Sequence, residues 1–214
     1  MEFEMEMPEE FGGESNFLKE PGTYHCAVTQ VLEGTGPKGG IIDGFTVGLD
    51  VLAGTTNGQE GKVINVTLFN PRLDQSENGK AMARRKQGAF LIAANVVNPA
   101  TRGQRVTVDL QKAVGQQIVC KFAKDEREGG GDYLQLSYAD IWHVDDPHCA
   151  NVPKREDAIA MIPATLRHDA AWFEQLKSKA ASGASGANGG KQQSRSTAQS
   201  AQAATKPDVN YDDL

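Results

Sequence analysis

Two stretches in the first third of the chain alternate between apolar residues and polar or small ones. Alternation places every second side chain on one face of a strand, so it predicts β-structure over residues 41–52 and 62–70. The apolar face carries Phe45, Val47, Leu49 and Val51 in the first stretch, and Ile64, Val66 and Leu68 in the second. Residues 22–32, 116–123 and 132–144 are rich in β-branched and aromatic residues and predict three further strands.

The period changes over residues 77–97, where apolar side chains recur at helical spacing until Asn98-Pro99 ends the pattern. Two shorter helical patterns follow the last strand, at residues 155–161 and 165–180. The apolar stripe of the second one consists of Leu166, Trp172, Phe173 and Leu176. Such a stripe packs against the rest of the fold or serves as a face for self-association, so a homo-oligomer remains open.

The predicted order is three strands, one helix and two strands, with helices after them. This is the chain order of a five-stranded OB-fold barrel, and a flat α+β sheet with the same elements is the alternative. Two long loops favour the barrel: residues 33–40 between the first two strands, and residues 124–131 between the last two. An OB fold uses these two loops to bind oligonucleotides. The expected fold is therefore mainly β, with one helix between strands three and four.

Charge and composition divide the chain beyond this core. The formal net charge is −6, yet residues 1–17 hold six glutamates and no Lys or Arg, while the core is close to neutral. From residue 182 the chain is rich in Gly, Ser, Gln and Ala, a composition typical of disorder. We expect an acidic flexible arm (1–17), an OB-fold-like core (18–150), a C-terminal helical extension (151–181), a disordered linker (182–207) and an acidic tip (208–214).

Catalytic and metal-binding motifs do not emerge from the sequence. The glycine-rich loop around Lys38 is not followed by Ser or Thr or by a helix, so it does not match a phosphate-binding P-loop. His148-Cys149 lacks the spaced ligand pairs of a zinc site. We therefore expect a protein that is not an enzyme and needs no cofactor or metal. Three cysteines, no signal peptide and no long apolar run favour a cytoplasmic protein with no membrane partner.

Features that bind single-stranded nucleic acid are better represented. Proteins of this class combine cations that follow the phosphates with aromatic rings that stack on bases. Phe69 falls on the face opposite Ile64 and Leu68, and Tyr133 alternates with leucines in the fifth strand. The candidate DNA-binding residues are Lys38, Lys62, Phe69, Arg72, Lys121, Lys124, Arg127 and Tyr133.

A second basic cluster lies in the helical pattern, at Lys80, Arg84, Arg85 and Lys86. Two interpretations of it remain open. The cluster contacts DNA, or it is a solvated face, because the corresponding helix of an OB fold plugs the end of the barrel away from the binding groove.

The combination of a five-strand core, a Gly/Gln/Ser tether and the ending "DVNYDDL" resembles single-stranded-DNA-binding proteins of bacteria and their phages. The core "GTYHCAVTQVLEG…GFTVGLDVLAG…GKVINVTLFN" is also similar to a family of small phage-encoded proteins. In the bacterial proteins, partner enzymes of replication and repair hold the terminal apolar residue in a basic pocket. The resemblance implies that Asp212, Asp213 and Leu214 form a partner-binding tip, with Tyr211 as an additional anchor. The usual ending has a proline and a terminal phenylalanine, so a dedicated phage partner remains open beside a host partner.

The leading hypothesis is a protein that binds and protects single-stranded DNA during replication or recombination, in the bacterial host cytoplasm or nucleoid. It would recruit replication or recombination proteins through residues 208–214. The alternative is a protein–protein adaptor without DNA affinity, such as a recombination mediator or an inhibitor of a host enzyme. An enzyme on a small β-fold is the third and weakest reading, because no catalytic constellation is apparent.

Overall fold

The computed structural model describes residues 16–101, 104–124 and 134–174. Two compact units divide the chain, Met1–Lys177 and Ser178–Leu214, and every described residue belongs to the first. Its centre is an antiparallel sheet in which five strands follow the order β3-β2-β1-β4-β5. The strands are β1 (Gly22–Thr35), β2 (Ile41–Gly54), β3 (Val63–Phe69), β4 (Gln117–Lys124) and β5 (Leu134–His143). The predicted mainly β fold is confirmed. Hydrogen bonds between β3 and β5, which would close the sheet into a barrel, do not occur among these residues.

The alternating residues face one side of the sheet and form the core. Val47, Leu49 and Val51 are almost fully buried, and Ile64 and Leu68 pack with them from the neighbouring strand. In the β2–β3 register, Leu49 lies across from Ile64, and Phe45 lies across from Leu68. The predicted apolar faces of β2 and β3 are therefore confirmed. Cys26 and Cys120 are free thiols in the same core.

The helix between β3 and β4, α1 (Glu77–Ala93), covers one end of this core with Phe90 and Ala93. Ser76 caps its N-terminus, because the Ser76 hydroxyl oxygen accepts a hydrogen bond from the Gly79 N–H at 3.2 Å. The predicted C-terminal end at residue 97 is wrong. Asn95 adopts a φ of 55°, a left-handed conformation that Asn tolerates and that ends a helix.

Residues 16–18 extend the sheet at the beginning of its β3 edge. Phe17 pairs with Val63 in a parallel bridge. The Val63 N–H donates to the Asn16 carbonyl at 2.8 Å, and the Leu18 N–H donates to the Val63 carbonyl at 2.9 Å. Leu18 is buried in the core. The chain thus approaches β1 along the edge of β3.

The residues after β5 fold back over the outer side of β1 and β4. They include α2 (Glu156–Ala160) and a second apolar cluster in which Val144 and Cys149 cover Val119. His25 is fully buried beneath this layer; its Nε2 lies 2.9 Å from Gln117 Oε1, and its Nδ1 accepts from the Arg155 N–H at 3.1 Å. This layer covers the outer face of the sheet around β4.

The predicted second C-terminal helix starts later than residue 165. Residues Ala164–Leu166 form a single 3₁₀ turn, and helical residues begin at Ala170. Asp169 is the cap, because its carboxylate accepts a hydrogen bond from the Trp172 N–H at 2.9 Å. None of the described helices is long and apolar enough to cross a membrane.

A buried histidine joins this C-terminal segment to the sheet. His143 is 4% exposed; its Nε2 lies 3.0 Å from the Leu166 carbonyl, and its Nδ1 accepts from the Asp145 N–H at 3.1 Å. The hydrogen bond from the Asp145 N–H requires an unprotonated Nδ1, which suits a neutral ring. Burial, together with the nearby His168, lowers the pKa of His143 to about 4. Asp145 opposes that effect, but it is itself paired with Arg167 at 2.7 Å.

The fold should lose stability as the pH falls from about 6.5 toward about 4. In that interval the unfolded chain protonates His143 and the folded chain does not, so the free energy of unfolding falls by up to about 3 kcal/mol. Urea unfolding at a series of pH values measures it. His143→Gln should remove this part of the slope, and His148→Gln, at an exposed position, should keep it. An equal slope in both variants would contradict the assignment to His143.

Candidate nucleic-acid interface

The β1–β2 hairpin presents Lys38 at its tip. The turn is closed by hydrogen bonds from the Gly36 N–H to the Gly40 carbonyl at 2.7 Å and from the Gly39 N–H to the Gly36 carbonyl at 2.9 Å. Lys38 lies between these groups and is exposed, as is Ile41 at the start of β2. The hairpin therefore holds one cation and one apolar side chain in solvent at one end of the sheet.

Phe69 lies at the same end, on the outer face of β3. Its ring is 51% exposed, and its register partner is Gly44. Gly44 has a φ of 149°, and a Cβ there would collide with the Leu68 carbonyl oxygen, so the position requires glycine. The β2 position directly across from Phe69 consequently carries no side chain. The sequence prediction that Phe69 faces away from the core is confirmed.

Hydrogen bonds fix the backbone that carries Phe69. The Asn70 N–H donates to the Asp43 carbonyl at 2.9 Å, and Asn70 Nδ2 donates to Asp43 Oδ1 at 2.7 Å. Gln87 of α1 donates from Nε2 to Asn70 Oδ1 at 2.8 Å. The end of β3 is thus held both by β2 and by α1, and the ring stands on a fixed backbone.

The outer face next to Phe69 carries uncharged and mostly small side chains. Leu32, Thr46 and Thr67 form one row across β1, β2 and β3. Thr46 is fully buried and donates its hydroxyl to the Thr35 carbonyl at 2.8 Å, whereas Leu32 is 38% exposed. In the next row the Gln30 side chain lies directly over Gly48, where a Cβ would be only 2.6 Å from Gln30 Cγ. Flat ligands can approach such a surface closely.

Arg72 follows Phe69 but is already paired. Its guanidinium donates to both carboxylate oxygens of Asp74, from Nε at 3.1 Å and from Nη2 at 2.6 Å. Both side chains are exposed, and an exposed ion pair of this kind contributes only about 0–1 kcal/mol. A phosphate could therefore replace the carboxylate at little cost.

The remaining described candidates lie at the opposite end of the sheet. Lys121 is exposed on the outer side of β4, across from Thr23, and Lys124 ends that strand. Lys62 precedes β3 at the end far from Phe69. Val63–Phe69 spans seven residues, so the two groups of cations are roughly 20 Å apart along the strands. The structure places Lys38, Phe69 and Arg72 at one end of the sheet and the three lysines at the other.

Other predicted site residues lie outside the described residues. They are Arg127 and Tyr133 in and after the β4–β5 loop, and Tyr211, Asp212, Asp213 and Leu214 in the tip. Their roles remain predictions.

The basic cluster of α1 is divided between solvent and a cleft. Lys80 pairs with Glu77 at 2.9 Å, and Arg84 and Arg85 are exposed. Lys86 instead lines a cleft of about 370 Å³ between β3, α1 and β5. Burial lowers the pKa of its ammonium group. The cleft was not expected from the sequence, because neither the apolar pattern nor the charges indicate that β3 and β5 stay apart.

The sequence also did not reveal which part of the outer face is available. The contact of His25 with Gln117 joins residues that are 92 positions apart, and its contact with Arg155 spans 130 positions. Contacts between residues so far apart in the chain leave no local pattern in the sequence. They cover the outer face around Val119, whereas Leu32 and Phe69 at the other end of the sheet remain partly exposed.

Comparison of the sequence with models of known protein families, and with curated proteins, finds no match.

Proposed function

We propose that this chain binds single-stranded DNA on the outer face of β1–β3, within an OB-type, partly open barrel. The observation that carries the proposal is Phe69, a half-exposed ring on an uncharged face with Lys38 and Arg72 at the same end of the sheet. A base that stacks on such a ring contributes about 1–3 kcal/mol, and nearby cations hold the phosphates. The proposal involves no catalytic step and no cofactor, and it assigns the protein to the bacterial cytoplasm or nucleoid.

The strand order supports the OB interpretation. In β3-β2-β1-β4-β5, with a helix between β3 and β4, the two outer strands are the ones that meet when an OB barrel closes. OB folds bind oligonucleotides on the face of strands two and three, between the loop that follows strand one and the loop that follows strand four. Phe69 and Lys38 belong to that face and to the first of those loops.

The second group of cations extends the proposed path. A strand that runs along the outer face from Phe69 would meet Lys62, Lys121 or Lys124 after roughly 20 Å. OB folds cover about 4–16 nucleotides each, which is compatible with a path of that length. Arg127 and Tyr133 would add contacts from the β4–β5 loop. The covered face around Val119 is excluded from the path.

The direct test is a titration of the full chain with fluorescent oligo-dT, the matching duplex and oligo-U, followed by anisotropy. We expect oligo-dT to bind more tightly than the duplex and to weaken as the salt concentration rises, because cations are released from the phosphates. Oligo-U decides between DNA and RNA. Absence of salt-sensitive binding to the single strand at low ionic strength would overturn the proposal and favour the adaptor hypothesis.

Phe69→Ala should weaken binding to oligo-dT by about 5- to 150-fold, the equivalent of one stacked base. The slope of affinity against salt should stay unchanged, because the substitution removes no charge. Phe17→Ala is the matched control: its ring is 55% exposed, but it lies at the opposite end of β3. Equal losses in the two variants would show that the Phe69 face is not the binding site.

The acidic tip is proposed as a handle for partner proteins of replication or recombination, with Tyr211, Asp212, Asp213 and Leu214 as its contacts. A carboxylate-rich segment also competes with DNA for cations. Removal of residues 208–214 should therefore leave the DNA affinity unchanged or raise it, and should abolish capture of the partner in a pull-down. A large loss of DNA affinity would contradict this role.

A further inference from the structure

The cleft between β3 and β5 has apolar walls. Its volume is about 370 Å³, and it is lined by one stretch of each strand and by one face of α1. Apolar residues make up most of the lining, among them Val66, Leu68 and Phe69 of β3, Met82 of α1, and Leu134 and Leu136 of β5. Apolar walls of this kind gain free energy when a further apolar segment removes them from water, by about 25 cal/mol for each Å².

One wall of the cleft is an unpaired strand edge. The N–H and C=O groups of Val63 point away from β2, because they bond to residues 16–18. Backbone groups alternate along a strand, so those of Asn65 and Thr67 point the same way. Within the described ranges, no backbone group pairs with them there. An open edge accepts another strand.

The one charged residue among the described ones that line the cleft is positive. Lys86 lines the cleft, is half-buried and makes no ion pair with a described residue. Arg84 and Arg85 stand on the same helix. A strand that fills the cleft would therefore be favoured if its polar side chains were acidic.

The first seven residues, "MEFEMEM", have this composition. Met1, Phe3, Met5 and Met7 alternate with Glu2, Glu4 and Glu6. In a strand, the apolar residues would share one face and the glutamates the other. Seven residues extend over roughly 23 Å, which matches the edge of β3 beyond Val63.

The position of Asn16 gives this segment access to the cleft. Residues 16–18 run parallel to β3 at its first residue, so the preceding chain reaches the rest of that edge only after a reversal. Pro8, Gly12 and Gly13 lie between the two segments and are typical of reversals. Eight residues, 8–15, span at most about 28 Å, which is ample for a return along the same edge.

We propose that residues 1–7 add to the outer edge of β3 as an antiparallel strand. Phe3, Met5 and Met7 fill the cleft between β3 and β5. The glutamates lie on the opposite face of the strand, in solvent, where the positive charge of α1 still attracts them. The segment thereby covers an edge that would otherwise pair with other chains. Phe69 also lines this cleft, so the docked strand would lie beside the ring proposed to bind DNA, but the docking does not rest on the proposed function.

Hydrogen exchange of single amides in the full chain, followed by NMR, tests the docking. The amides of Asn65 and Thr67 should exchange at least about tenfold more slowly than in the double variant Phe3→Asp/Met5→Asp, because each carbonyl of the added strand protects one of them. Glu2→Asp/Glu4→Asp is the matched control, since it keeps both the alternation and the charge, and it should retain the protection. The amide of Val66, which points toward β2, should be protected in every variant.

Two results would overturn the proposal. The first is a wild-type protein in which Asn65 and Thr67 exchange as fast as the exposed loop residue Lys38, a result that needs no variant. The second is equal protection of both amides in the double variant and in the wild type. Light scattering on the same samples shows whether the added strand comes from the same chain or from a second copy. A monomer whose protection is independent of concentration supports docking within one chain, and a dimer whose protection disappears on dilution overturns it in favour of a second copy.

Discussion

Pairing of β1 with two different neighbours is the interaction on which the rest of the structure depends. β1 pairs with β2 over most of its length, from Tyr24 to Thr35, but with β4 only over Gly22–Ala27. Register shifts at His25/Cys26 and Val28/Gln30 bend the strand between these two partnerships. The bend turns one sheet into two halves that curve around a common core.

The two halves of the outer face consequently differ in how far they are covered. Around β4 the face is closed by the C-terminal layer, which satisfies the buried His25 through Gln117 and Arg155. Around β2 and β3 the face stays open, and the glycines at positions 44 and 48 keep it low beside Phe69. The proposed function assigns the half-exposed Phe69 ring of this half to a flat ligand. The two outer strands, β3 and β5, face each other across the cleft that α1 also lines.

Alternation was enough to predict β2 and β3 and their buried faces, because a half-buried strand must obey a period of two. Phe69 was placed correctly for the same reason. The end of α1 was missed, since the left-handed Asn95 is stabilised by tertiary contacts: Asn95 Nδ2 donates to the Leu166 carbonyl at 3.1 Å, 71 positions away. The candidate cations lie at two different ends of the sheet because of the register in which the strands pair. That register cannot be deduced from the side-chain types alone. The pairing of Arg72 with Asp74 is local, and the two residues could have been linked from their spacing.

The proposed function depends on stacking of the Phe69 ring on a base of single-stranded DNA. Photochemical crosslinking with an oligonucleotide that carries 5-bromodeoxyuridine detects this contact, because the reaction requires that the base and the side chain touch. Peptide mapping should identify a crosslink at Phe69. Crosslinks confined to the covered half of the sheet, at Trp142 or in the C-terminal layer, would contradict the account.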